Sequence, residues 1–108
     1  MKPMPNLRAL YLNPSTGNQT EVVSWDQSLG QLFDWIGDSY YWVTDRNNRI
    51  YHTGPEDTPL PGTVTHPRWT YPMRGAVLIV AIDTLTGADA SLPLCDISAY
   101  RRQVRLNQ

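Results

Sequence analysis

An α+β fold built on a mostly antiparallel sheet of about five or six strands follows from three features of the sequence. Short β-prone runs recur between turn-forming clusters, and one internal stretch, just past Trp25, switches to helical spacing. Ala76 to Ile82 is apolar at every position, the mark of a strand covered on both faces. A chain of 108 residues makes a single domain, 1–108, with one modest core.

Residues 1–6, with Lys2, Pro3 and Pro5, read as a loose lead-in. From Arg8 to Leu12 the chain alternates, Leu10 and Leu12 facing one way and Ala9 and Tyr11 the other. Asn13 to Asn18 gathers turn formers, and Thr20 to Trp25 is β-prone again, which makes a first hairpin. Leu29, Leu32, Phe33 and Ile36 then fall at i, i+3, i+4 and i+7 and predict a short amphipathic helix with these four inward. Ser24 with Gln27, Ser28 with Gln31, and Asp26 all offer acceptors for its free amides, so the cap is undetermined. Gly37 closes it near Ile36, and Trp35 lies off the centre of the stripe.

Tyr40 to Thr44 and Arg49 to His52 predict a second hairpin about a polar turn, Asp45 to Asn48. Residues 53–73 hold five prolines and two glycines, which predicts a long loop, its second half pinned to the body by Trp69 and Tyr71. Ala76 to Ile82 is the expected central strand. A turn over Asp83 to Asp89 leads to a shorter strand around Ala90 to Cys95, where Pro93 favours a sheet edge. Asp96 is placed to cap a C-terminal helix with Ile97, Tyr100 and Val104 inward and Arg101, Arg102 and Arg105 outward. A strand from Arg102 to Leu106 is the alternative.

Nine Lys and Arg against ten Asp and Glu give a formal charge of −1, which argues against a general nucleic-acid binder. The charge is uneven: seven acids between Glu21 and Asp57 face only Arg46 and Arg49. No apolar run approaches the roughly 20 residues that span a bilayer, and none follows Lys2, so a soluble, unprocessed protein with no membrane partner is expected. The lone Cys95 allows no internal disulfide and no Cys-rich zinc site, which suits a reducing, cytoplasmic compartment. Its place at the end of an apolar strand predicts burial rather than nucleophilic use.

His52 and His66 are the only histidines, and neither forms a metal or catalytic motif. No phosphate-cradling glycine pattern or dinucleotide fingerprint is present, so neither metal nor cofactor is expected. The most informative set is aromatic. Trp25, Trp35, Tyr40, Tyr41, Trp42, Trp69 and Tyr71 exceed what a small core covers easily, and exposed Tyr and Trp serve as interface anchors.

The segment Ser28-Leu29-Gly30-Gln31-Leu32-Phe33-Asp34-Trp35-Ile36-Gly37, the hairpin about Asp45 to Asn48, and the strand Gly75-Ala76-Val77-Leu78-Ile79-Val80 together resemble a small domain of unknown function common in bacteriophage and plasmid genomes, over roughly residues 7–83. That family has no agreed activity, so no site residues transfer. The resemblance implies a phage-like setting, in which small accessory proteins bind and disable host machinery. The expectation is therefore a non-enzymatic protein that binds and inhibits a host protein. Trp35, Tyr41, Trp69 and Tyr71 would form the contact, with Arg101, Arg102 and Arg105 as charged candidates. A symmetric homodimer would also cover surplus rings. Two alternatives stand beside it: nucleic-acid or nucleotide binding through Arg74, Arg101, Arg102 and Arg105 beside aromatic rings, and a small enzyme using His52 or His66.

Overall fold

The computed structural model describes residues 4–16, 20–53 and 62–107. Two hairpins and one inserted strand make the main sheet. β1 (Leu7–Leu12) pairs with β2 (Thr20–Trp25), and β3 (Tyr40–Asp45) pairs with β4 (Asn48–Thr53), as the alternating patterns predict. A short helical turn, Pro14–Thr16, follows β1. The second hairpin is tighter than expected: its strands run to Asp45 and resume at Asn48, leaving only Arg46 and Asn47 in the turn, with Arg46 in the left-handed region at φ 58°.

Two short strands come next in the chain, β5 (Thr63–Thr65) and β6 (Met73–Arg74). β7 (Val77–Ile82) is the expected central strand. It enters antiparallel between β1 and β4 and gives the order β2-β1-β7-β4-β3, with β8 (Asp89–Ala90) pairing alongside it. β5 and β6 belong to a second sheet of order β6-β5-β9, completed by β9 (Arg105–Asn107). The expected 53–73 loop is therefore interrupted by strands, and its residues 54–61 lie outside those described.

The C-terminal prediction is corrected in detail. The strand expected over Ala90 to Cys95 stops at Ala90, and α2 (Leu94–Gln103) begins at an N-cap on Pro93 rather than at Asp96. Proline suits the start of a helix, where its missing N–H has no intrahelical partner to lose. Cys95 consequently lies in the first helical turn and is exposed, not buried. The helix and strand alternatives for the C-terminus both occur in sequence, α2 and then β9.

The sheet is covered on both faces, so the single expected core is divided in two. One half packs Leu10, Leu12, Ile50, Val77 and Ile79 beneath α2 and the small sheet, through Ile97, Tyr100, Val104 and Val64. The other packs Ala9, Tyr51, Leu78 and Val80 against α1 (Leu29–Trp35) and Trp25. Burying each such Leu or Ile stabilises the fold by about 1.5–3 kcal/mol.

Ser28 is the cap of α1: its hydroxyl accepts from the Gln31 amide at 3.1 Å. Gln31 reaches back to the Asp26 amide at 2.8 Å, and Asp26 accepts from the Ser28 amide at 2.8 Å, so two of the candidate acceptors act in one relay. The inward stripe is narrower than predicted. Leu32 and Ile36 are buried, whereas Leu29 and Phe33 are exposed, because a helix of 7 residues meets the sheet only along its Leu32–Trp35–Ile36 side. Gly62, at φ 97°, leads into β5 where an added Cβ would lie 2.7 Å from the Asn107 carbonyl oxygen and 2.8 Å from Pro14. Only glycine fits there.

Candidate functional site

The last residue of β3 organises a buried polar cluster. Asp45 takes two hydrogen bonds from the Arg68 guanidinium, at 3.1 and 3.0 Å, one from the Trp69 indole at 3.2 Å, and one from the Tyr100 hydroxyl at 2.7 Å. Burial raises the carboxyl's pKa, but these four hydrogen bonds and the Arg68 charge outweigh it and hold the group below the usual carboxylate range. Burial, and then donation to Asp45, pushes the Tyr100 phenol well above its ordinary value. The same phenol oxygen accepts from the Asn48 amide at 3.1 Å, and Asn48 Oδ1 is buried with no protein partner.

His66 adjoins this cluster. Its Nδ1 accepts from the Arg68 amide at 3.0 Å, so Nε2 carries the proton and donates to Gln103 at 2.8 Å. Burial lowers its pKa, and the neighbouring Arg68 charge adds to that effect against the Gln103 bond. The ring is thus fixed as a neutral, structural imidazole. The cluster ties the segment carrying Trp69 and Tyr71 onto the end of β3.

β3 itself is an edge. Among the described residues it pairs only with β4. With a two-residue turn, Asp45–Asn48, Val43–Ile50 and Tyr41–His52 are the hydrogen-bonded pairs, which leaves the N–H and C=O groups of Tyr40, Trp42 and Thr44 pointing away from the sheet. Along this edge Tyr41 is 54% exposed, Trp42 51% and Val43 38%, and nearby Tyr71 is 75% exposed. Two neighbouring hollows open on the Val43 side. One, of about 280 Å³, is lined by Val43, Thr44, Asp45, Arg68, Trp69 and Tyr71 among others. The second, of about 350 Å³, is lined by Val43, His52, Tyr71, Pro72, Met73 and Arg74 with Thr53. Val43, Tyr71 and Met73 form the shared wall.

The opposite face of β3 carries Trp42, with the Arg49 guanidinium 4.5 Å above its ring. Arg49 is ion-paired to Asp89, which also accepts from the Tyr51 hydroxyl at 2.6 Å. Burial and the Asp89 bond raise the Tyr51 pKa strongly.

The residues singled out from the sequence divide into three groups. Trp69 and Tyr71 line one hollow at the β3 edge, and Tyr41 stacks at 6.2 Å on His52, which lines the adjoining hollow with Tyr71. Of the expected pinning pair, Trp69 is held by Asp45, whereas Tyr71 projects outward. Trp35 lies apart, half-buried on the other face of the sheet and 5.9 Å from Tyr11, whose hydroxyl donates to the Trp35 carbonyl. Arg101 and Arg102 lie in the last turn of α2, whereas Val104 caps that helix and Arg105 opens β9 rather than continuing the helix as expected; Arg101 donates to the Thr20 hydroxyl at 3.0 Å and Arg105 to nearby backbone carbonyls. Tyr100, their nearest ring in sequence, is buried and gives them no stacking platform.

His52 is half-buried; its Nδ1 lies 3.1 Å from the Thr53 carbonyl, and Nε2 is buried with no protein partner. No carboxylate among the described residues shares its hollow. Among the described residues no three His, Cys, Asp or Glu side chains converge in a way that would hold a metal ion. No helix among them is long and apolar enough to cross a membrane. Sequence reasoning missed Asp45, Asn48, Arg68 and Gln103 as a unit, and passed over Val43. The only available signal was an acid at the head of a turn followed far downstream by an Arg-Trp pair.

The architecture is that of an α+β protein in which a sheet of 6 strands carries a helix on each face and a small second sheet on one. No family model, curated protein or solved structure matches the chain.

Proposed function

We propose that this protein is a non-enzymatic binding module that contacts another protein through the β3 edge, and that in doing so it modulates, by inhibition, a host protein. The observation that carries the binding part is the gathering of Tyr41, Trp42, Val43 and Tyr71, all exposed, at one sheet edge. Aromatic anchors at such a site desolvate much area at little cost in rotor entropy. Of the groups that would serve catalysis, Asp45 is spent on four hydrogen bonds, His66 is locked between Gln103 and the Arg68 amide, and His52 shares its hollow with no carboxylate among the described residues. The host and inhibitory parts rest on the phage-type sequence resemblance alone.

The test is affinity capture from host lysate by the full chain and by a Tyr41→Ser/Tyr71→Ser variant. A partner recovered in stoichiometric amount by the parent and lost with the variant is the expected result. Identical recoveries from both, or none from either, refute the reading. Nucleic-acid binding is the weaker reading, because of its four arginines only Arg74 lies beside the exposed rings, while Arg101, Arg102 and Arg105 lie apart in α2 and β9.

A further inference from the structure

Resting on the reading of the β3 edge as a contact surface, we infer that its ligand is an extended, acid-flanked peptide segment of a partner, added antiparallel to β3 as an extra strand. Three observations converge on this. Tyr40, Trp42 and Thr44 turn their backbone donors and acceptors outward along a strand of 6 residues, which is the template that strand addition uses. The two hollows lie side by side along that edge and share Val43 as a wall, so alternate side chains of one extended peptide enter both. The ends of the two hollows carry cations outside the Arg68–Asp45 pair: Arg46, exposed and sharing an adjoining hollow with Arg68 and Asp96, lies at the Asp45 end, and Arg74 lines the hollow toward the Thr53 end. Among the described residues, no carboxylate other than Asp45, already held by Arg68, lines either hollow.

The charge distribution also separates this occupant from a second copy of the chain. Antiparallel pairing of β3 with its own copy would set the Arg68 end of one molecule against the Arg74 end of the other, on both sides of the axis. Arg46 of one molecule and Arg74 of the other would then face each other across the seam, because Arg68 is already neutralised by Asp45. A peptide with Asp or Glu at each end and two apolar residues at alternate positions meets the same rim with opposite charge.

The geometry fixes which peptide amides matter. In an antiparallel ladder, residues directly opposite share a face. Peptide residues facing Trp42 and Thr44 therefore direct their N–H and C=O groups to β3, while those on the Val43 side fill the hollows and direct theirs away.

The probe is a fluorescein-labelled nonapeptide, Asp-Glu-Thr-Leu-Thr-Val-Thr-Glu-Asp, titrated with the full chain by fluorescence anisotropy. Saturable binding is expected, weakened at least tenfold by N-methylation of the three Thr amides and less than threefold by N-methylation of the Leu and Val amides. Replacing the four acids with Lys is expected to weaken it at least tenfold. Val43→Glu, at a half-exposed edge position, and Tyr71→Ser are each expected to reduce it by a similar factor with unchanged circular dichroism.

Absence of saturable binding, or equal tolerance of the two methylation patterns, overturns strand addition. A concentration-dependent dimer in sedimentation that Val43→Glu dissolves overturns it in favour of a second copy. If capture of a partner still depends on Tyr41 and Tyr71 while every peptide fails, the contact surface stands and only this mode of recognition falls.

Discussion

Replacing Asp45 by Ala removes the acceptor of four hydrogen bonds while leaving all three donors in place. The Tyr100 hydroxyl, in a residue 2% exposed, loses its acceptor, and a buried donor left unpaired costs about 1–3 kcal/mol. Breaking a fully buried ion pair by removing one partner costs about 3–5 kcal/mol, but the Arg68 side chain keeps 30% of its exposure and rehydrates, which pulls the total toward the lower end. The expected loss is about 3 kcal/mol at pH 7, read from urea unfolding followed by tryptophan fluorescence. Part of the cost is recoverable, because the unpartnered Oδ1 of Asn48 is brought to Tyr100 by an amide flip. Asp45→Ala combined with Asn48→Val should therefore lose roughly 1 kcal/mol more than the two single changes together.

The pH dependence gives an independent reading of the same carboxylate. Its folded pKa is depressed, so its contribution is complete above the unfolded value near 4 and disappears as the pH falls through the folded value. The gap between parent and Asp45→Ala should narrow steadily below about pH 4. A variant within about 0.5 kcal/mol of the parent at pH 7, the scatter of ordinary surface changes, would refute the account of Asp45 as the tie between β3 and the Trp69 segment.

Ile79 is fully buried and pairs with both Leu10 and Ile50, so Ile79→Ala should cost about 2–5 kcal/mol in urea unfolding. Gly62→Ala combines a positive φ with contacts below 3 Å to Asn107 and Pro14, and a loss of about 2 kcal/mol or more is expected in thermal melts. Cys95 is exposed in the first turn of α2, so one thiol per chain should react with a disulfide reagent in the folded protein without denaturant. Protection of that thiol until unfolding would place it inside the fold after all.

What could be read from the sequence was local. The β1–β2 and β3–β4 hairpins announce themselves by alternation around polar turns, and β7 by an apolar run covered on both faces. The start of α1 was narrowed to three acceptors and its end placed near Ile36, because capping chemistry acts within a few residues. The small sheet was illegible for the opposite reason: β5, β6 and β9 are two or three residues long, and Thr63–Thr65 finds its partner at Arg105–Asn107. Such strands carry no periodicity of their own.

The candidate site was half legible. Tyr41 and Tyr71 stood out by type, but that β3 is an edge depends on β7 entering beside β4 rather than beside β3. Asp45 looked like a turn residue because its partners lie 23 and 55 positions away. Trp35 was singled out with them although α1 seats it against Tyr11, a contact between positions 24 apart that helical spacing alone does not register.

The sheet order has a kinetic side. The two hairpins can each form from neighbouring residues, yet they share no ladder with one another and are joined only when β7 slides between them. That insertion closes two long chain segments at once, so the entropic toll of assembly falls on a single late event. Until it happens the molecule is a pair of ribbons with their apolar sides bare. Hairpins that pair before β7 enters are already formed in the transition state, so weakening either ribbon should slow folding, whereas weakening contacts that β7 completes only after entry should mainly hasten unfolding.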